Sequence, residues 1–248
     1  MALLIAVPVG LTWRAVRQER LNQSLIAAVK RNDDRAVVSL LDQGADANCR
    51  DEPLRKFSLW ETLVQVLPGR KSQPSDTPTP LLIALEYRKE LKLPDGELGL
   101  PPENLRLVGA LLDHGAQVNH TGKDAWTPVC YALTGHKNAT ARLLLARGAN
   151  ANEPGLLTFA MSKDADNGTI TALLDHGADV NQRDEKGQTA LLMAVDAGRA
   201  NVVRQLLNLH SDVTLSCHGV TPLAQALQGD TPVGRQIVRL LKAAGAKE

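Results

Sequence analysis

The stretch Leu173-Leu174-Asp175-His176-Gly177-Ala178-Asp179-Val180-Asn181 decides how this chain folds. Two adjacent leucines suit the core-facing side of a helix's last turn. The glycine three residues after the second leucine can take the left-handed conformation that ends the helix at low steric cost. The same phrase recurs as Leu40-Leu41 with Gly44-Ala45-Asp46-Ala47-Asn48, as Leu111-Leu112 with Gly115-Ala116-Gln117-Val118-Asn119, and as Leu144-Leu145 with Gly148-Ala149-Asn150-Ala151-Asn152. Four copies at fixed internal spacing make the chain a repeat array.

A second phrase marks helix starts: Thr79-Pro80-Leu81, Thr127-Pro128-Val129 and Thr221-Pro222-Leu223, with Thr189-Ala190-Leu191 as a weaker version. Threonine can cap a first turn, and proline is pre-shaped for the first helical position, where it has no amide bond to lose. Alanines follow at a fixed offset, Ala84, Ala132, Ala194 and Ala226, with Ala28 and Ala160 by alignment, and they let neighbouring helices approach closely. Gly115 and Gly148 lie 33 residues apart, as do Gly177 and the equivalent His210. With these openings and endings, and with Asp184-Glu185-Lys186-Gly187-Gln188 as a turn between units, the chain from about Leu21 onward resembles the ankyrin-repeat family.

The resemblance implies an all-α ankyrin-repeat solenoid of about six helix-turn-helix units, at 21–51, 79–121, 122–154, 155–184, 185–214 and 215–248, preceded by a distinct segment 1–20. Departures from the family pattern are local. The histidine usual after Thr-Pro-Leu is replaced by Leu82, Cys130, Thr158, Leu192 and Ala224, so the turns are expected to be held more by packing than by that histidine's network. The finger before the fourth unit is short, and His210-Ser211 stands in place of Gly-Ala. An insertion at 52–78 enlarges the first finger. Ser58-Leu59-Trp60-Glu61 reads there as a capping box, opening a short helix that presents Leu59, Trp60, Leu63, Val64 and Leu67 on one face. A second, turn-rich insertion spans about 88–103.

Composition narrows the function. Twenty-eight Lys and Arg against 27 Asp and Glu leave a net charge of +1, which disfavours a nucleic-acid partner. Aromatic residues make up only 3% of the chain, so the core is built from Leu, Ala and Val, as thin helical layers are. Cys49, Cys130 and Cys217 have no metal-ligand or disulfide spacing and read as reduced thiols; Cys217 neighbours His218, but adjacent residues rarely face each other. Residues 1–13 are uncharged and almost wholly apolar, and Arg14, Arg17 and Arg20 follow. The order is the reverse of a signal peptide's, and the run falls short of the roughly 20 apolar residues of a span. It reads either as a membrane attachment that keeps the repeats on the cytoplasmic side, or as a cap on the open end of the first repeat.

No phosphate-binding loop, dinucleotide fingerprint, zinc-protease motif or serine elbow is present, and the six histidines are scattered. No enzyme activity, metal or cofactor is expected. Ankyrin arrays recognise proteins through finger tips and first helices. The resemblance therefore implies a protein-interaction module with a protein partner; the alternative is an anchored structural or stress-response component. Arg50, His120, Lys123, Asp124, Arg183, Glu185, Lys186 and His218 are expected along the finger edge, with Tyr87 and Tyr131 on first helices beside it. Trp60 either covers apolar surface or meets the partner.

Overall fold

The computed structural model describes residues 2–51, 77–86, 103–122, 126–229 and 231–247, with side chains from Trp13 onward. The short helix expected around Trp60 and nearly all of the second insertion lie outside the described residues. The chain divides into two compact units, Met1–Tyr131 and Ala132–Glu248.

In the first unit α1 (Ala2–Lys30) and α2 (Asp34–Asp42) form one helix pair, and α3 (Pro80–Leu85) and α4 (Leu105–Asp113) the next. First helix packs on first helix, α1 on α3, and second on second, α2 on α4. Leu25, Ala28, Val37, Leu41, Leu81, Leu85, Leu107 and Leu111 form the apolar layer between them, all at most 3% exposed. The opening helix has no break where the sequence suggested a separate segment 1–20, since α1 runs continuously from Ala2. It is fastened to the first finger by Gln18, whose Nε2 donates to the Gly44 carbonyl at 2.8 Å, and by Asn22, whose Oδ1 accepts the Asp46 amide at 2.9 Å. Among the described residues no helix is long and apolar enough to cross a membrane.

Helix α5 (Pro128–Thr134) contains the division between the units. The second unit continues with α6 (Asn138–Ala146), α7 (Leu156–Ser162), α8 (Asn167–Asp175), α9 (Ala190–Asp196), α10 (Ala200–Asn208), α11 (Pro222–Leu227) and α12 (Pro232–Ala243). The first helices α7, α9 and α11 stack in one layer and the second helices α6, α8, α10 and α12 in another. Each repeat thus buries its stripe only against its neighbours. Ala132, Ala160 and Ala194 have no exposed surface, as close approach between first helices requires. No strand occurs among the described residues, only the isolated bridges Arg183 to Thr189 and Cys217 to Val220.

The repeated phrases act as their chemistry implies. Thr79, Thr189 and Thr221 each accept the amide three residues on, capping α3, α9 and α11. At the other end the Gly177 amide donates to the Leu174 carbonyl and the Ala178 amide to Leu173, each at 3.0 Å, while Gly177 sits at φ +88°. His210 reproduces this ending with φ +60° and the same pair of bonds, from His210 to Leu207 and from Ser211 to Leu206. A side chain in that conformation is strained. His210→Gly is expected to raise stability by about 0.5–1 kcal/mol after the entropy a glycine adds to the unfolded chain. A urea midpoint that stays put or falls would contradict this account of the ending.

The finger turns are held differently from the sequence expectation. Packing is joined by a second tie, because the asparagine closing three of the four phrases bonds to a turn of the following repeat. Asn48 donates to the Gly115 carbonyl and accepts the Gln117 amide, both at 2.8 Å; Asn152 accepts the Asp179 amide at 3.2 Å and Asn181 the Asp212 amide at 2.7 Å. The short fourth finger, which lacks Thr-Pro, borrows from its neighbour: the Gly155 amide opening α7 donates to Gln182 Oε1 at 2.5 Å.

Candidate protein-binding edge

In the second unit the finger before α9 is a tight hairpin. The Asp184 and Gly187 amides close it through Gln188 and Asp184 carbonyls, each at 2.9 Å, and the Asp184 carboxylate accepts the amides of Lys186 and Gln188. Arg183 spans two fingers, donating to Gly187 O at 2.9 Å and to Ser216 O of the next finger at 2.8 Å. A second tie runs back from the Cys217 thiol to the Lys186 carbonyl at 3.3 Å. These bonds engage Nη1 of Arg183 and leave the exposed side chains of Glu185, Lys186 and His218 projecting from a braced edge. His218 and Cys217 do meet, with Nδ1 3.1 Å from Sγ, because His218 adopts φ +50° and turns its ring back over its neighbour. The rule that adjacent residues face apart fails there for that backbone reason. Asp212, at the base of the same finger, accepts the amide and hydroxyl of Thr214, and these bonds hold its carboxyl below the usual carboxylate range.

In the first unit His120 and Tyr131 are half-buried rather than projecting. Tyr131 packs edge-on against Trp126, ring centroids 5.7 Å apart. A Cβ at Gly122 would lie 2.8 Å from the Tyr131 hydroxyl, so the finger base closes over this ring only because residue 122 has no side chain. His120 Nε2 is buried with no hydrogen-bond partner among the described residues, and burial together with the Arg50 guanidinium lowers its pKa from the ordinary 6.5. Arg50 is half-buried and donates to the Thr77 carbonyl at 2.9 Å. Because the folded pKa of His120 lies below that of the unfolded chain, its contribution is complete above the unfolded value and is lost as the pH falls through the folded one. Urea midpoints of wild type and His120→Gln are expected to diverge between pH 7.5 and pH 5.5, the wild type losing more. Parallel curves would contradict the buried neutral ring. Trp60, Tyr87, Lys123 and Asp124 lie outside the described residues.

Sequence reasoning missed two first-helix side chains. Tyr131 is the fourth residue of α5, and the same register gives Phe159 on α7, Met193 on α9 and Gln225 on α11, each half-buried. Lys163 Nζ lies 5.3 Å from the Phe159 ring centroid, a cation–π contact at the end of α7. Counting from each helix start would have found both, but the exposed finger residues drew the reading away. Among the described residues no group of three or more His, Cys, Asp or Glu could hold a metal ion.

A family model described as ankyrin repeats (3 copies) matches residues 156–247. These residues are ankyrin repeats. A crystal structure of an ankyrin repeat domain from Acinetobacter baumannii superposes with a TM-score of 0.63 at 24% identity, covering 90% of this chain and 98% of that one. The human ASB11 ankyrin repeat domain superposes at 0.58 with 20% identity, over 90% of this chain and 84% of that one. Both likenesses concern the fold. In sequence, the ankyrin repeat domain-containing protein SAT10 of Stachybotrys chartarum is 33% identical over 127 residues, half of this chain but 6% of that protein. The mitochondrial disaggregase of Bos taurus is 28% identical over 155 residues, 58% of this chain and 22% of that protein. The shared part is therefore the repeat array itself, a fold used for protein interaction, and the matches span less than a quarter of either relative.

Proposed function

We propose that this ankyrin-repeat chain is a non-catalytic interaction module that holds a protein partner along its finger edge and the adjoining first-helix faces. One observation supports this above the others. Neighbouring fingers are cross-braced by Arg183 and Cys217, while the Glu185 and Lys186 side chains make no hydrogen bond among the described residues. A braced edge loses little conformational entropy on binding, so side-chain contacts made there retain more of their affinity. Phe159 and Met193 beside it supply the apolar and aromatic surface from which binding hot spots are drawn. Trp60, Tyr87, Lys123 and Asp124 remain candidates on sequence grounds.

The test is affinity for a captured partner after alanine substitution at Glu185, Lys186, Met193, Phe159 and His218. At least one of the first-helix positions is expected to weaken binding tenfold or more. Loss confined to the outer faces of α8 and α10 would overturn the reading. Arg183→Ala is a poor probe, since it unties two fingers as well as removing a charge.

The compartment we infer is reducing and cytoplasmic. All three cysteines are free, and burial, with Asp46, Glu19 and Asp51 nearby, pushes the Cys49 thiol up to about 12, so it stays protonated and unreactive. A second reading, attachment of the array to a membrane surface through the start of α1, is favoured by the exposed Trp13 where the uncharged run ends.

A further inference from the structure

We infer that the start of α1 docks on an anionic lipid bilayer: the uncharged turns 2–13 enter the boundary between headgroups and acyl chains, and Arg14, Arg17 and Arg20 bind lipid phosphates. This rests on the membrane-surface reading and adds the headgroup chemistry. Four observations lead to it. First, α1 is one continuous helix from Ala2 into the repeat array, so the apolar run and the basic residues are held on a single rod fixed to the fold through Gln18 and Asn22. Second, residues 2–13 carry no charge and rise about 18 Å as a helix, enough to reach from the headgroups into the acyl chains. Third, Trp13 is 72% exposed at the junction of the two stretches, where an indole favours the membrane interface. Fourth, the described residues leave the positive charge there without an ion-pair partner. Among the described residues no carboxylate pairs with Arg14, Arg17 or Arg20, and Glu19 on the same helix accepts a hydrogen bond from Gln23 instead.

Leu25, Ala28 and Val29 turn inward and are at most 4% exposed. Trp13, Val16, Arg17, Arg20, Leu21 and Ser24 line a shallow groove of about 250 Å³ on the flank beside that buried stripe. Apolar stems and guanidinium heads on one strip match a surface that is apolar just beneath a layer of phosphates. A second copy meeting this one groove to groove would set arginines against arginines, since no acidic residue lines it.

The experiment is sedimentation of the full chain with large unilamellar vesicles of phosphatidylcholine alone or mixed with phosphatidylglycerol. Binding to the mixed vesicles is expected, with R14Q/R17Q/R20Q lowering the partition coefficient about 100-fold and leaving the melting temperature unchanged. The triple Arg→Lys variant should keep binding within a few-fold, and the fluorescence lost in Trp13→Phe should be the component that shifts to the blue on the mixed vesicles. Equal binding to both vesicles that ignores the arginines would overturn the headgroup assignment and leave the membrane attachment standing. Absence of binding to either would overturn both, as would a dimer in sedimentation equilibrium that the triple Gln variant dissolves.

Discussion

Leu173→Ala is expected to cost about 2–5 kcal/mol of stability, the range for removing most of a fully buried leucine from a packed layer. Leu173 has no exposed surface and lies on α8, which packs against α6, α7 and α10. The loss should also change the shape of unfolding. A repeat array is stabilised by its repeats and the interfaces between neighbours, so weakening a middle layer uncouples what lies on either side. Urea denaturation followed by circular dichroism should therefore show a lower first midpoint and a broadened or split transition. The exposed Asp175→Ala on the same helix serves as control and should stay within about 0.5 kcal/mol. A single sharp transition for Leu173→Ala, shifted no more than the control, would mean that α8 is not part of the stack.

Arg199→Ala is expected to cost about 2–3 kcal/mol, although arginine is rarely a stability residue. Its guanidinium leaves the fifth repeat and enters the turn of the fourth. Nη2 donates to the Ala165 carbonyl at 2.6 Å and to Asn167 Oδ1 at 2.7 Å, and Nε donates to the same Asn167 oxygen at 3.1 Å. Ala165 is 3% exposed, so water is poorly placed to replace the lost donor at its carbonyl. Lysine has the charge without the planar fork and cannot make this set of bonds, so Arg199→Lys should recover less than half of the loss. Full recovery by lysine in thermal melts would show that only the charge matters.

These two sites divide what could be read in the sequence from what could not. Leu173 stands out because repetition within each unit exposes the leucine pair, the glycine ending and the threonine cap. The bonds that tie one unit to the next join residues 24 to 72 positions apart, and many of them run to a backbone group. The family of asparagine bonds was hidden in a repeated residue whose partner is a backbone amide, which carries no sequence signal. Arg183 read as a free finger charge because the Ser216 carbonyl it grips is equally anonymous. His120 read as exposed because neighbouring repeats, not its own turn, determine its burial. Phe159 and Met193 could have been found by counting from the helix starts, since their register matches that of Tyr131.

The central claim, recognition through the braced finger edge, is tested most directly by site-specific photocrosslinking of the array to its captured partner. A benzophenone amino acid is placed in turn at Lys186 and Met193, and at Arg204 and Asn208 on the exposed side of α10. The account predicts covalent partner adducts from Lys186 and Met193 and none from Arg204 or Asn208. Adducts from Arg204 and Asn208, with none from Lys186 or Met193, would contradict it and place recognition on the second helices.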